Sequence, residues 1–386
     1  MLYLTIVMSK DRARIILFLL FLAGGLIIRP SAAIAQDKPN EYFWFQKLLK
    51  KFPPVVPQDS IRLVFIGDVM MHTKQIKKDF TPFLKDLKPM LSRADVSVAN
   101  MEFPLGGEPY SGYPAFSAPD SIANYVASLG VDVFLTANNH IMDKGLPGLE
   151  RTLGKYADLE GIKFTGTSCK SIPDSTVNPL IIRAKGARIA LINFTYGVNA
   201  GSPAVSSGAR VHLMKKEDTE ELFDRAAKAG ADVIIALPHW GEEYSLKHNR
   251  LQEEFATWMA DAGADVIIGT HPHVVQDTCI LSASDGRRVP VIYSLGNAVS
   301  NMSAKDTRLE LAAELTLIRN FLGQVKVHDV RLIFLWCTLP GRLEDNYRTI
   351  IVSENIGKKD LWKIGADYDT MISTLERVKE KTGIGK

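Results

Sequence analysis

Several stretches of this chain end in residues that bind metals or move protons, and each follows an apolar run. In Ala262 to Gln276, the run Ala264 to Ile268 reads as a buried strand. The turn after it delivers His271 and His273 with Pro272 between them. The proline predicts an extended conformation for His271, so two imidazoles on a stiffened turn at a strand end form a metal claw. The same small-Asp-Val opening recurs three times. Arg93 to Ala99 leads to Asn100 and Glu102, Gly130 to Leu135 to Asn138, Asn139 and His140, and Ala229 to Ile235 to His239. A further apolar run, Arg62 to Ile66, ends in Gly67 and Asp68.

Taken singly, each residue has an ordinary reading: Asp68 as a turn cap, the Asn138-Asn139 pair as a loop before a capped helix. Their value comes from company, because strand C-terminal ends in an α/β sheet converge on one rim, where ligands bind. Asp68, Glu102, Asn139, His239, His271 and His273 together offer mixed oxygen and nitrogen ligands. Such a set suits two divalent ions, Mn²⁺, Zn²⁺ or Fe²⁺, and the lack of cysteine ligands argues against a structural zinc site. Two ions can clamp an in-line displacement, and Glu102 is suited to bridge them. His140 would then face substrate as an acid or a transition-state stabiliser, with Asp143 fixing its tautomer. Trp240 or Tyr244 would wall the site. His212, His248 and His328 lack such a setting and read as ordinary histidines. His72 lies four residues after Asp68, near enough to approach the site, although no spacing rule puts it there.

The elements that must hold these residues alternate. Strands are expected at 62–66, 96–99, 131–136, 162–165, 233–237, 266–268 and 289–293. Helices are expected at 82–91, 121–129 with Asp120 as N-cap, 146–159 with Pro147 in its first turn, 215–229 and 252–262. Leu180 to Arg183 and Ile189 to Phe194 form a hairpin over Lys185-Gly186-Ala187. After Asn301 the pattern changes to antiparallel strands at 312–318, 325–328 and 332–337, and a charged amphipathic helix closes the chain within 359–380. This pattern predicts an α/β fold, a layered sandwich with mixed sheets.

The 386 residues, 46% apolar and 23% charged, are those of a folded globular chain rather than a disordered one. The formal charge of +3 resides wholly in residues 1–35, where Lys10, Arg12, Arg14 and Arg29 face only Asp11. The remainder is neutral, so nucleic acid is not an expected partner. Residues 1–35 read as a signal peptide, with a basic start, an apolar run at 15–28 and an Ala33-Ile34-Ala35 cleavage pattern before Gln36. The alternative is an uncleaved anchor, though the run is shorter than the ~20 residues a spanning helix needs. Residues 36–60 form a linker with the aromatic patch Tyr42-Phe43-Trp44-Phe45. Cys169, Cys279 and Cys337 are too few and too scattered for a disulfide framework.

The ordered set Gly67-Asp68, Asn100-x-Glu102, Asn138-Asn139-His140-x-x-Asp143-x-Gly145, His239-Trp240-Gly241-x-Glu243-Tyr244, Gly269-x-His271-Pro272-His273-Val274 and Tyr293-Ser294-Leu295-Gly296-Asn297 resembles CapA-type poly-γ-glutamate capsule biosynthesis proteins. The resemblance covers 61–301. It implies an α/β/β/α sandwich of the calcineurin-like metallophosphoesterase type over 61–345, followed by a C-terminal segment at 346–386 with a helix. It also implies a dimetal centre at the strand ends. Two departures stand out: Asp68-Val69-Met70 lacks the histidine of the metallophosphoesterase Asp-x-His motif, and Glu102 stands where a bridging Asp is usual. Ala298 follows Asn297 where the family continues with Phe, which is expected to widen or simply alter the pocket wall. The implied role is exported, on the periplasmic or extracellular face, in making or anchoring an anionic extracellular polymer. The partners would be that polymer or its precursor and a membrane-bound synthesis complex. Two functions fit: a metal-dependent hydrolase acting on a phosphoester or a related acyl or amide bond, and a non-catalytic assembly or polymer-binding component on the same fold.

Overall fold

The computed structural model describes residues 60–320 and 323–385. The signal peptide, its anchor alternative at 15–28 and the linker through residue 59 lie outside them. In chain order the strands are β1 (Ile61–Val69), β2 (Val96–Met101), β3 (Val133–Leu135), β4 (Lys163–Thr165), β5 (Thr167–Ser168), β6 (Leu180–Ala184), β7 (Ala187–Thr195) and β8 (Arg210–Val211). They continue as β9 (Val233–His239), β10 (Val266–Ile268), β11 (Thr278–Ser282), β12 (Arg288–Ile292), β13 (Asn297–Val299), β14 (Leu309–Arg319), β15 (Val325–Thr338) and β16 (Arg348–Ile351). The longer helices are α1 (Asp120–Ser128), α2 (Gly145–Ala157), α3 (Lys216–Lys228), α4 (Arg250–Asp261) and α5 (Gly365–Thr382).

Two mixed sheets carry the fold. The first runs β16-β15-β14-β1-β2-β3-β4, with β13 also pairing β1; the second runs β11-β12-β10-β9-β7-β6. Their central strands are parallel, β1 to β4 in the first sheet and β7, β9, β10 and β12 in the second. Parallel neighbours need crossovers: α1 joins β2 to β3, α2 joins β3 to β4, α3 lies between β7 and β9 and α4 joins β9 to β10, while β1 reaches β2 through short helical turns. Residue alternation sets the layers. Leu63 and Phe65 of β1 face Val233, Ile235 and Leu237 of β9 in a core between the sheets. Val64 and Ile66 face the outer core under α1 and α2, whereas Ile234 and Ala236 pack beneath α3 and α4. The order is helices, sheet, sheet, helices: the α/β/β/α sandwich expected from the sequence. Residues 346–386 contribute β16 to the first sheet, and Met371, Leu375 and Val378 of α5 to the inter-sheet core.

The recurring small-Asp-Val signature has a structural cause. Asp95, Asp132, Asp232 and Asp265 each stand at the entrance of a parallel strand. Each accepts a backbone N–H of the preceding neighbour through Oδ2: Arg62 at 2.9 Å, Ser97 at 2.7 Å, Arg188 at 2.8 Å and Ile234 at 2.8 Å. Each aspartate N–H returns a bond to the carbonyl of that same residue. The signature therefore staples strand entrances, at the end of the sheet opposite the candidate site.

Several local expectations are corrected. A continuous helix at 82–91 is replaced by a 3₁₀ turn, Lys85–Leu87, and one α-turn, Lys88–Leu91, because Pro89 has no N–H to continue the ladder. Pro119, not Asp120, is the N-cap of α1; the Asp120 carboxylate instead takes both terminal nitrogens of Arg151, at 2.7 and 2.9 Å. The strands expected at 325–328 and 332–337 are one strand, β15, paired with β14 along its length. The cysteines are free thiols, Cys169 and Cys337 buried and Cys279 half-buried. No helix among the described residues is long and apolar enough to cross a membrane.

Candidate metal centre

The C-terminal ends of β1, β2, β3, β9 and β10 meet, and every expected ligand is buried there: Asp68, Glu102, Asn139, His239, His271 and His273. Asp68 is the anchor. Its Oδ1 accepts Nδ2 of Asn100 at 2.6 Å and its Oδ2 accepts the backbone N–H of His271 at 3.1 Å. Asp68 reaches this position because β1 passes hard against the turn before β13. A Cβ on Gly67 would lie 1.9 Å from the Gly296 carbonyl oxygen, so only glycine fits.

Two groups of ligand atoms form. The donor atoms of Asp68, Glu102 and His239 lie within 4.8 Å of one another, and so do those of Glu102, His271 and His273. Glu102 belongs to both. Its Oε1 is 3.6 Å from Nε2 of His239 and 3.8 Å from Nε2 of His273. Oδ1 of Asn139 is 2.8 Å from Nε2 of His239, which places the amide beside the first group. Nδ1 of His273 is 3.0 Å from Oδ1 of Asn297, which turns Nε2 of His273 toward Glu102.

Both carboxylate oxygens of Glu102 and Nδ1 of His271 are buried without a hydrogen-bond partner. Buried acceptors of this kind are rare in folded proteins, and each needs an explanation. A divalent cation would satisfy all of them at once, and the donor set of carboxylate, amide oxygen and imidazole is the type such ions take. The residues therefore fit the expected metals.

The electrostatics of these metal-free groups agree. Burial alone would push the Asp68 carboxyl up; the hydrogen bond of His273 and the charges of His239 and His273 outweigh it, and the pKa is lowered. Burial would depress His273, yet the charges of Glu102 and Asp68 lift it to about 9. Burial, with His239, His273 and His140 nearby, drives His271 well below the ordinary imidazole value.

The extended backbone expected for His271 is not observed: its φ is +100°, and that of His273 is +56°. Proline constrains its predecessor but does not set that φ. The bond from His271 N–H to Asp68 and the close packing of Gly269 against Tyr293 and Trp240 dictate the turn. Positive φ at non-glycine residues costs about 1–3 kcal/mol each and clusters at functional sites.

His140 lies beside the ligand groups with Nδ1 2.7 Å from Oδ2 of Asp143; the same oxygen accepts the N–H of Phe116 at 2.8 Å. The Tyr196 ring lies 4.5 Å from that of His271 and the Tyr244 ring 6.4 Å from that of His273; both tyrosines are about half exposed and form the mouth. Trp240 is instead fully buried, with Nε1 on the Tyr293 carbonyl, and does not wall the site. Ala298 packs into the outer core rather than against the pocket. His212 bonds Asp174 and His248 bonds Asp277, as ordinary structural histidines do.

Asn100 and Asn297, both within the motifs, contact the ligands as supporting groups, and Thr270 and Tyr196 contact them although no motif singles them out. Tyr196 was detectable, since it ends an apolar strand as the ligands do; Thr270 carries no such mark.

Comparison with known proteins places these features in context. A family model described as bacterial capsule synthesis protein PGA_cap matches residues 62–302. The capsule biosynthesis protein CapA of Bacillus anthracis is 30% identical over 256 residues, which is 62% of this chain and 60% of that protein. The PGA biosynthesis protein CapA of Bacillus subtilis is 26% identical over 299 residues, 75% of this chain and 76% of that one. The chain thus spans about three-fifths of the first relative and three-quarters of the second. Among solved structures, the calcineurin-like phosphoesterase YfkN from Bacillus subtilis aligns with a TM-score of 0.42 and 17% identity, covering 84% of this chain and all of that one. The NAD nucleotidase of Haemophilus influenzae aligns at 0.44 and 14% identity, covering 71% and 51%.

Proposed function

Because this chain belongs to the bacterial capsule synthesis protein PGA_cap family, we propose that it is a metal-dependent hydrolase of extracellular polymer synthesis or anchoring, acting on a phosphoester or a related acyl or amide bond. One observation supports this above others: Glu102 is buried, both its oxygens lack partners, and it belongs to both ligand groups. A component that only binds polymer has no need of an unpartnered carboxylate there, because burying such a group costs several kcal/mol unless it is compensated.

In this reading Asp68, Glu102, Asn139, His239, His271 and His273 would hold two divalent ions, Mn²⁺, Zn²⁺ or Fe²⁺, with Glu102 a member of both ligand groups. When bound, the ions supply Lewis-acid polarisation of the phosphoryl or acyl oxygen. The protein does the rest. Asn100 and Thr270 hold the His239 ring through Nδ1. Asp143 orients His140, which gives its proton to the leaving group. Tyr196 and Tyr244 flank the approach. The protein acts outside the cytoplasm on an anionic polymer or its precursor, with a membrane-bound synthesis complex as partner. Residues 1–35 direct export.

Elemental analysis of the purified protein, with an assay of bis(p-nitrophenyl) phosphate hydrolysis in Mn²⁺, tests the reading. The expected result is about two ions per chain and turnover that falls about 10²-fold in His140→Asn while the metal stays bound. A protein that binds no metal, and whose His271→Ala/His273→Ala variant keeps full cellular function, would sink the enzyme reading. A mature N-terminus at Gln36 would support export with cleavage; one at Met1 or Met8 would support an anchor.

A further inference from the structure

Between the loop that follows β13 and helix α5 lies a cavity of about 210 Å³, and none of the metal-centre residues lines it. Its charged and aromatic walls are Lys305 and Asp306 of the loop, Arg308 before β14, Trp336 of β15 and Arg377 of α5. Three of these charges are matched. Arg308 gives one terminal nitrogen to each oxygen of Asp367, both at 2.7 Å, and its Nε to the Cys337 carbonyl at 2.8 Å. Asp306, the one carboxylate in the wall, is taken by Arg377. Lys305 is left over: its side chain is exposed and has no ion-pair partner among the described residues. The cavity therefore carries an uncompensated positive charge.

Trp336 supplies an independent sign. The residue is only 1% exposed, and its Nε1 is buried without an acceptor. An indole N–H can only donate. A buried donor left unpaired is costly and calls for an explanation. The Arg308 guanidinium stacks on the ring, 4.4 Å from its centroid, so positive charge lies on both sides of the unpaired N–H. A negatively charged acceptor answers both observations at once: it would take the proton of Nε1 and neutralise Lys305. The hydroxyl of Ser303 stands in the same wall as a further donor. Pockets that hold whole cofactors or drug-sized ligands have volumes of about 300–1,000 Å³, so this smaller space suits a single oxyanion group.

We propose that this cavity is an oxyanion-binding site, separate from the metal centre, that takes a carboxylate or phosphate group on Lys305 and Nε1 of Trp336. The site shares its loop with the metal centre. The Thr307 carbonyl accepts Nδ2 of Asn297 at 3.1 Å, and Oδ1 of Asn297 lies 3.0 Å from Nδ1 of His273. An accessory subsite for an anionic ligand is thus joined through one loop to a residue of the ligand groups. The inference stands whether or not the metal centre hydrolyses anything.

The test is nitrogen-15 NMR of the Zn²⁺-loaded full chain, read at the indole N–H signal of Trp336 and assigned by its loss in Trp336→Phe. Glutarate and inorganic phosphate are titrated separately. The signal is expected to move saturably with at least one probe, and the probe that moves it tells a carboxylate source from a phosphate source. Lys305→Gln is expected to weaken that response at least about tenfold, as loss of one hydrogen bond to a charged group does, with zinc content unchanged. A signal that neither probe moves, or one that responds with the same affinity in Lys305→Gln, overturns the proposal. Should Trp336→Phe fail to fold, calorimetric titration of the wild type and Lys305→Gln decides: a tenfold loss of affinity for either probe supports the site, and equal affinities overturn it.

Discussion

Oε1 of Glu102 stands 3.6 Å from Nε2 of His239, too far for a hydrogen bond, although both side chains are fully buried. Both atoms belong to one ligand group with Asp68, and Glu102 Oε1 has no hydrogen-bond partner of its own. That spacing suits two ligands of one ion. Mn²⁺ should therefore stabilise the wild type by mass action, by about 2.7 kcal/mol at a hundred times the dissociation constant. In Glu102→Ala the thermal shift should vanish and at least one ion should be lost on elemental analysis. Unchanged metal content in that variant would remove Glu102 from the bridging position.

The narrowest passage beneath the site is at Gly67, where a methyl group would meet the Gly296 carbonyl at 1.9 Å. Overpacking of a well-packed interior costs about 1–3 kcal/mol or more, and here relief requires moving the backbone that carries Asp68. Gly67→Ala should lower the melting temperature and also weaken Mn²⁺ binding. A variant that melts lower but binds metal normally would show that Asp68 need not be held so tightly.

Asp132 exchanges two bonds with Ser97 at the far end of the first sheet, one from its own N–H and one through its carboxylate. Removing the side chain leaves a strand-entrance N–H without its acceptor, worth about 1 kcal/mol. Burial raises the Asp132 pKa against the opposing bond from Ser97, and an amide oxygen can accept that same N–H. Asp132→Ala should lose about that much stability in urea and Asp132→Asn little, with metal content and activity unchanged in both.

The Asp174 carboxylate ties α3 to the segment after β8 by bonding Arg225 at 2.8 Å and His212 at 2.7 Å. Burial would raise its pKa, but His212, Arg225 and Asn178 outweigh that and hold it well below the ordinary carboxylate range. A group whose folded pKa is depressed stabilises the fold above its unfolded value, near 3.8, and loses that contribution as pH falls through the folded value. Stability should therefore drop below about pH 4 in the wild type. Asp174→Asn, expected to cost about 1–3 kcal/mol at neutral pH, should show a smaller drop in an acid titration followed by circular dichroism.

Much of the fold was legible because local patterns carry it. The repeated Asp-Val opening marked four parallel strands, and Lys185-Gly186, both with positive φ, formed the expected hairpin turn between β6 and β7. The failures also have physical causes. Pro89 broke a helix whose apolar spacing looked continuous. The His271 turn defied its proline because contacts to Asp68 and the fit around Gly269 outweigh a dipeptide preference. The strand β11 was not anticipated, since its half-exposed residues lack a buried run.

By itself the sequence determined the alternation of strands and helices, the layered class and the residue types waiting at each strand end, because periodicity and turn chemistry act over a few residues. Which of those residues meet was decided by the sheet order alone. Asp68 touches His271 across 203 positions of chain, and Asn139 touches His239 across 100. The strain at His271 and the sharing of Glu102 between two ligand groups depend on how two sheets stack and which backbones pass closest. No local pattern encodes those distances, since they arise from long-range packing of residues remote in the chain.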